Sequence, residues 1–390
     1  MQHKTPRVSK GRRLSVAIAL SSAALVLLAG CASGSNGGSS GGSGSVPQEV
    51  TDKLAKYSEA QPFDFKGAAF DVSSVNGKNV WWVLQDATNP FLTTVSDMAK
   101  QALATVGVTI TTCDGKSNPV DANNCISQGV AQNAAAIQVD GPDPASIGNS
   151  ATAAQSAGIP VLVGAGVDAA ANFPSYITGG TSQPFGLSGE LAADFAIVDA
   201  KGAANVLVIT TPDVIGSGVQ AKAFEAELKK YCPSCKFTEQ GVNLGQWATD
   251  LGTTTSAALT KDPTINYVFP VFDPMTQFVN PAITQAGKAS TVKVVTVNGI
   301  LPFMQDLATG TSVTQGEVGQ DLQALGYIEA DQILRALTGN PLVPNDYAPA
   351  RFFDAKAAKA LTLTPDAWLD GSWYGGSGSN AKLFSSIWKK

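Results

Sequence analysis

From Asn79 onward the chain alternates short, β-branched apolar runs with helix-length stretches, and this alternation restricts the fold more than any other feature. The runs Val80–Gln85, Val108–Thr112, Ala135–Asp140, Pro160–Gly164, Tyr176–Thr178, Ala204–Thr210, Lys236–Val242, Tyr267–Val271, Lys293–Val297 and Ser312–Glu317 are predicted strands. Between them Leu92–Val106, Asp121–Asn133, Asp143–Ala157, Leu187–Ala200, Val219–Tyr231, Trp247–Lys261, Met275–Gly287 and Leu322–Leu337 are predicted helices. Such a pattern gives α/β architecture, parallel sheets with crossover helices on both faces. Near-continuous apolar strands such as Val206-Leu207-Val208-Ile209 are what a doubly covered sheet requires. A body of about 300 residues exceeds one typical core, so two doubly wound lobes are expected. No fixed-period repeat suggests a solenoid.

The first thirty residues read as an address. Lys4, Arg7, Lys10, Arg12 and Arg13 precede an apolar core, Leu14 to Leu28, too short to span a bilayer comfortably. The run Leu28-Ala29-Gly30-Cys31 resembles the lipobox of bacterial lipoprotein precursors, which implies cleavage before Cys31 and diacylglycerol on its sulfur. An ordinary signal peptide with an incidental cysteine, or twin-arginine export through Lys10-Gly11-Arg12-Arg13-Leu14-Ser15, are the alternatives. The Gly/Ser-rich residues 31–46 favour the lipid reading, because they form a leash whose root-mean-square reach is roughly 20 Å. Residues 47–78 then hold a short amphipathic helix, with Val50, Leu54 and Tyr57 at helical spacing, and a connector.

Charge and histidine exclude several functions. Without the signal's five basic residues, 21 Lys+Arg face 31 Asp+Glu, a formal charge of −10, which argues against nucleic acid and against electrostatic binding to anionic lipid. The only histidine, His3, lies in the signal, so Ser-His-Asp and Cys-His catalysis, histidine metal ligation and a histidine pH switch are excluded from the exported body. No metal or cofactor is expected. Four cysteines remain beyond Cys31, an even number in an exported chain, and two local disulfides, Cys113 with Cys125 and Cys232 with Cys235, account for them most simply. Cys232-Pro233-Ser234-Cys235 also has thioredoxin-like spacing. A reactive thiol, however, is favoured at a helix N-terminus, and this one follows Phe224–Tyr231, a helix C-terminus where the dipole has the wrong sign.

Four stretches carry a family resemblance: Asn89-Pro90-Phe91 after the first strand, Ala135–Pro142 at the third, Gly158-Ile159-Pro160-Val161 opening the fourth, and Val294–Gly299 late in the chain. In this order and spacing, over about residues 79–340, the chain resembles the type I periplasmic binding proteins of the ribose-binding class, extracytoplasmic solute receptors of ABC sugar importers. The resemblance implies two doubly wound lobes joined by a three-strand hinge, residues 79–181 with 319–340 and residues 182–318 with 341–374, leaving 375–390 as a tail. The tail region holds Trp368, Trp373, Tyr374 and Trp388; packing back onto the lobes is favoured over a partner-binding epitope.

Ligands of open parallel sheets sit beyond the carboxyl ends of strands, and by that rule Asp86, Asn89, Phe91, Asp140, Asp273 and Asn298 are expected to point into one cleft. In the family the Asn-Pro-Phe asparagine meets a ligand hydroxyl and nearby aromatics stack on the sugar; Asn89 and Phe91 match, and Trp247 lies near the second stacking position. Each has a structural reading beside it: Asn89 and Asn298 as turn caps, Asp140-Gly141-Pro142 as turn chemistry, Phe91 as core. Trp81 and Trp82 face opposite sides of a strand, so packing is favoured for both.

Departures from the family narrow the ligand. Ala165-Gly166 stand where the family has Asp-Arg, Gly216-Ser217-Gly218 where it has an arginine, Phe272-Asp273 for Asn-Asp, and Asn298-Gly299 for Asp-Gly. Two guanidinium groups and one carboxylate are gone; Asp168 is a loose candidate to replace the aspartate. A neutral ligand, less polar than a pyranose, is therefore expected, which makes ribose itself doubtful. The resemblance implies a lipid-anchored, monomeric extracytoplasmic receptor delivering a small sugar or polyol to an ABC permease, with no enzymatic activity. A sensor signalling to a membrane kinase or chemoreceptor is the second class, and a secreted thiol oxidoreductase at Cys232 and Cys235 the third.

Overall fold

The computed structural model describes residues 46–61, 63, 65–166, 173–181, 183–343 and 348–390. The signal peptide, Cys31, nearly all of the Gly/Ser tether and Asp168 lie outside the described residues.

Among the described residues the strands form two main sheets. The first lobe's sheet runs in the order Thr109–Asp114, Asn79–Leu84, Ala136–Asp140, Val161–Gly164, Gly179–Gly180, with every neighbouring pair parallel. Its strands Ala136–Asp140 and Val161–Gly164 are buried throughout, as a doubly covered sheet demands, whereas the edge strand Thr109–Asp114 is largely exposed. Strand alternation sorts the side chains. Val80, Trp82, Leu84, Ala136 and Leu162 face the helices Pro90–Ala104 and Leu322–Thr338, while Val83, Ile137, Val139, Val161 and Val163 face Pro119–Ala131 and Gly148–Ser156.

The second lobe's sheet follows the order Ala350–Asp354, Thr314–Gln320, Lys293–Asn298, Tyr267–Pro270, Asn205–Thr210, Lys236–Gly241, parallel except for the antiparallel edge strand Ala350–Asp354. Three departures from the sequence reading appear here and in the first lobe. The strand expected at Tyr176–Thr178 forms instead at Gly179–Gly180, that expected at Ser312–Glu317 runs over Thr314–Gln320, and Leu301–Thr309 is a helix. Within the α/β body the described elements change lobe between Gly180 and Phe185, at Gln320–Asp321, and between Thr338 and Ala350. Two of these crossings are tied together by Gln183 Nε2, which donates to Gln320 Oε1 at 2.9 Å.

Segments flanking the α/β body bind to both lobes. The helix Gln48–Ser58 packs Val50, Leu54 and Tyr57 on the second lobe's core, and Lys53 enters a cluster of carboxylates, Glu190 at 2.6 Å, Glu227 at 2.8 Å and Asp194 at 3.4 Å. The chain then reaches the first lobe, where Phe63, Phe65 and Phe70 join its core. At the other end Trp373 and Tyr374 pack beside Met304 and Phe353, and Phe384 and Trp388 pack around Tyr327. Trp388–Lys389 pairs in parallel with Phe70–Asp71. Asn380 Nδ2 donates to Asp321 Oδ2 at 3.0 Å, fastening the C-terminal helix Ser379–Ile387 to a hinge residue.

Both disulfides are formed: Cys113–Cys125, from an edge strand to the next helix, and Cys232–Cys235, across the turn that ends the helix Ile215–Tyr231. Cys232 is buried at that helix's C-terminus, the position where a thiolate is least stabilised.

Candidate functional site between the lobes

The strand ends of the two lobes face each other across an inner chamber of about 40 Å³ that shares Gln85 with a larger space of about 650 Å³, also lined by both lobes. The first lobe lines the inner chamber with Gln85, Asn89, Phe91, Leu92, Ala165 and Gly166. The second supplies Val214, Leu244, Trp247, Phe272, Pro274 and Asn298, and Gln183 comes from a crossing segment. Among the described lining residues none is charged. By the measure in which one water needs about 10–15 Å³, the chamber alone holds about three waters, less than a monosaccharide, whereas the adjoining space, lined by both lobes and carrying Asp143 and Asp213, is large enough for one.

Closure is held by backbone. Gly216 N donates to Gly166 O across the cleft at 2.9 Å. Gly166 has φ +120°, and a Cβ there would lie 3.3 Å from both Gly141 Cα and Val214 Cγ1; a Cβ on Gly216 would run into the Phe185 ring at 2.3 Å. The absence of a side chain on Gly166 lets the lobes touch at Val214, whereas the absence of one on Gly216 lets its helix pack against Phe185 of the same lobe.

Four expected site residues meet in the chamber. Asn89 caps the helix Pro90–Ala104: its Oδ1 accepts from Phe91 N at 2.9 Å, and Pro90 fills the first helical position. The cap engages only the oxygen, so the cap and the ligand reading of Asn89 are compatible, with Nδ2 as the available donor. Phe91 serves the first lobe's core and the chamber wall at once. Trp247 opens the helix Trp247–Lys261, 8 % exposed, with Nε1 donating to Thr211 Oγ1 at 3.1 Å and its ring 6.3 Å from that of Phe272. Asn298 ends its strand at φ +133°, a conformation that side chains other than glycine's rarely adopt, and its buried Oδ1 has no hydrogen-bond partner.

The three aspartates do not line the chamber. Asp86 braces loops: Oδ1 accepts from Thr88 N at 2.8 Å and Oδ2 from Ser117 Oγ at 2.7 Å. Burial raises its pKa, but these hydrogen bonds outweigh that and hold it below the usual carboxylate value. Asp140 is buried under the sheet, accepting from Trp82 Nε1 at 2.7 Å and Gln138 Nε2 at 2.8 Å. As a residue within the ladder it points to a sheet face, towards Glu329, and not off the strand end. Burial raises it to about 6 against those two hydrogen bonds. Asp273 sits behind Asn298, accepting from its Nδ2 at 3.2 Å and from Ile300 N at 2.8 Å. It shapes the site at one remove by holding the strained Asn298. Burial raises Asp273 to about 8. Glu317, whose Oε1 accepts from Gly299 N, is pushed well up by burial and then by the Asp273 charge.

The sequence reading overlooked Gln85, Leu92, Gln183, Val214 and Leu244 as lining residues and treated Phe272 only as a departure. Gln85, one position beyond its strand, obeys the strand-end rule and was legible; Gln183 lies in a hinge segment with no local pattern to mark it.

A neutral chamber shared by two hinged, doubly wound lobes defines a two-lobed solute-binding protein. The sequence matches the periplasmic binding protein domain over residues 80–341, and the chain belongs to that family, one of extracytoplasmic binding proteins and not of enzymes. No curated protein matches it in sequence. Among solved structures it is similar to a 5-methylthioribose transporter solute binding protein of Thermotoga lettingae, 20 % identical over 79 % of this chain and 96 % of that one, with a TM-score of 0.67. It is also similar to an ABC transporter solute binding protein of Agrobacterium vitis with bound allitol, 20 % identical over 73 % and 97 %, TM-score 0.64. A Mycobacterium smegmatis protein in complex with β-D-fucofuranose is 21 % identical over 77 % and 98 %, TM-score 0.65. Among the described residues no helix is long and apolar enough to cross a membrane.

Proposed function

We propose that this chain is the substrate-binding component of an ABC importer: a monomeric receptor, tethered outside the cytoplasm by lipid on Cys31, that captures a small neutral sugar or polyol between its lobes and hands it to the permease. One observation carries this reading, the inner chamber to which both lobes contribute an aromatic wall and a carboxamide, Phe91 and Asn89 on one side, Trp247 and Asn298 on the other. Aromatic faces suit the C–H faces of a sugar or polyol, while amides take hydroxyls in fixed geometry. A charged solute would be left without a counter-ion. The ligands bound by the structural relatives named above, 5-methylthioribose, allitol and β-D-fucofuranose, are neutral and support the same class.

Ligand contacts made to both lobes at once are what favour closure, so ligand must raise stability. A thermal-shift screen over pentoses, hexoses, polyols and small aromatic alcohols is expected to show a hit, since ligand at 100 times its Kd stabilises by roughly 2.7 kcal/mol. Stabilisation only by charged solutes, or by none of the panel, would overturn the reading. Mass spectrometry of native protein is expected to show an N-terminal Cys31 bearing diacylglycerol; a soluble native form with unmodified Cys31 would remove the tether.

A further inference from the structure

Asn298 lines the chamber in a backbone conformation that it cannot hold alone, since a residue at φ +133° persists only where its surroundings fix it from several sides. Asp273 fixes one side by accepting from Asn298 Nδ2 and Ile300 N, and Glu317 a second by accepting from Gly299 N. The third side belongs to Tyr374, which comes from the C-terminal segment, beyond the residues 80–341 that match the family. Tyr374 is buried, and its hydroxyl enters a slot between two glycines. A Cβ on Gly299 would lie 2.8 Å from Tyr374 Oη and 2.7 Å from Gly319 Cα, and a Cβ on Gly319 would overlap the same Oη. Asn298 pairs with Gly319 in the ladder, so the phenol bears at once on the strand end that carries Asn298 and on the turn that follows it.

The ring itself is held firmly. It meets Phe353 edge-on with centroids 6.0 Å apart and shares an apolar cluster with Leu301 and Met304, while Arg351 Nη1 donates to the carbonyl of the preceding residue, Trp373, at 2.8 Å. The hydroxyl, by contrast, has no hydrogen-bond partner. A buried hydroxyl left unpaired lowers stability, and phenylalanine would keep the ring's packing without that cost. What the oxygen supplies is volume in the slot between Gly299 and Gly319, and a void there would let the turn relax into it. Resting on the receptor reading above, we propose that Tyr374 is a positioning residue of the binding site: by filling that slot it keeps the Asn298 turn in its strained form, with the unpartnered Oδ1 turned to the chamber. The C-terminal segment thereby takes part in ligand binding from outside the matched domain.

Calorimetry on the full chain tests it, with the tightest binder among D-ribose, D-galactose, D-fucose, L-rhamnose and allitol as the probe, at a temperature where every variant is folded. Tyr374→Phe is expected to melt no lower than the parent yet to weaken binding about fivefold, the low end of the loss for one misplaced hydrogen bond. In an Asn298→Gly background, where no carboxamide is left to position, the same substitution is expected to leave affinity unchanged. Amide hydrogen exchange at Gly299 and Ile300, whose N–H groups anchor the turn, is expected to quicken in Tyr374→Phe while the central strand Asn205–Thr210 exchanges at the parental rate. Parental affinity in Tyr374→Phe, parental exchange at the turn, or an equal loss of affinity in both backgrounds would overturn the inference while leaving the receptor reading intact. If Asn298→Gly alone binds as the parent does, or if no probe binds, both fall.

Discussion

At Glu317 and Asp273 two carboxyls lie buried behind the site with Asp321, Tyr374 and Arg351 facing them, and proton uptake by the folded state follows. Their ordinary values are 4.5 and 3.8, while in the folded protein Asp273 stands at about 8 and Glu317 well above its ordinary value. The folded state therefore binds more protons than the unfolded one across this interval. The stabilisation that the protonated groups supply is complete below about pH 4 and is lost as pH rises towards about 8. Asp140, at about 6, and Asp194, at about 7, act in the same direction over narrower windows. The melting temperature of the empty protein is expected to fall between pH 5 and pH 8. Glu317→Gln, which removes one of the coupled acids and keeps an acceptor for Gly299 N, is expected to melt higher than the parent at pH 8 and close to it at pH 5. Parallel melting profiles for the two proteins would show that this pair does not titrate as described.

Among the elements, the helix Gln48–Ser58 has the clearest energetic signature, since Lys53 supplies positive charge to three carboxylates of which Asp194 and Glu227 are nearly or fully buried. Burial lowers the lysine's pKa, but hydrogen bonds from Lys53 to Glu190 and Glu227 and the Asp194 charge outweigh it and raise the value well above normal. Removing one partner of a buried ionic cluster leaves the others uncompensated. Lys53→Met is expected to cost on the order of 3 kcal/mol at pH 8, measured by denaturant unfolding, and less at pH 5, where protonation of Asp194 relieves the charge. A loss equal at both pH values would mean that the helix is held by Val50, Leu54 and Tyr57 alone.

The same scale shows what the sequence could reveal. Central strands were legible because a doubly covered sheet must be apolar on both faces, as in Asn205–Thr210, which is buried at every residue. Gly179–Gly180 escaped because its ladder is made by backbone alone, so the apolar signal at Ile177 drew the expected strand two residues too early. The helix Leu301–Thr309 escaped because Asn298-Gly299 and Pro302 read as a turn, although proline in a first helical turn costs nothing. For the site, strand-end reasoning located the cleft but not the direction of each side chain. Asn89, at a helix cap, and Asn298, at a strained strand terminus, face the chamber, whereas Asp140, still paired in its ladder, obeys strand parity and faces a helix.

For the molecule as a whole, three crossings of the α/β body permit a hinge that the two flanking segments also strap, and both lobes bring matching groups to its inner edge. The lobes meet through the Gly216 N to Gly166 O hydrogen bond, which a ligand-sized separation would break. Ligand must then replace that contact with its own to both lobes, and the proposed contacts are Asn89 and Asn298. Calorimetric titration of the ligand found by screening into Asn89→Ser and Asn298→Gly tests this most directly. Serine preserves the helix cap while removing the amide donor, so Asn89→Ser is expected to keep its thermal stability; glycine tolerates φ +133° while removing the orphaned acceptor, and the loss of the Nδ2 donor to buried Asp273 is expected to lower the melting temperature of Asn298→Gly without unfolding it. Each is expected to weaken binding about 5- to 150-fold, the cost of one unpaired buried hydroxyl. If both variants bind as the parent does, the ligand does not lie between these two residues and the interlobe chamber is not the binding site.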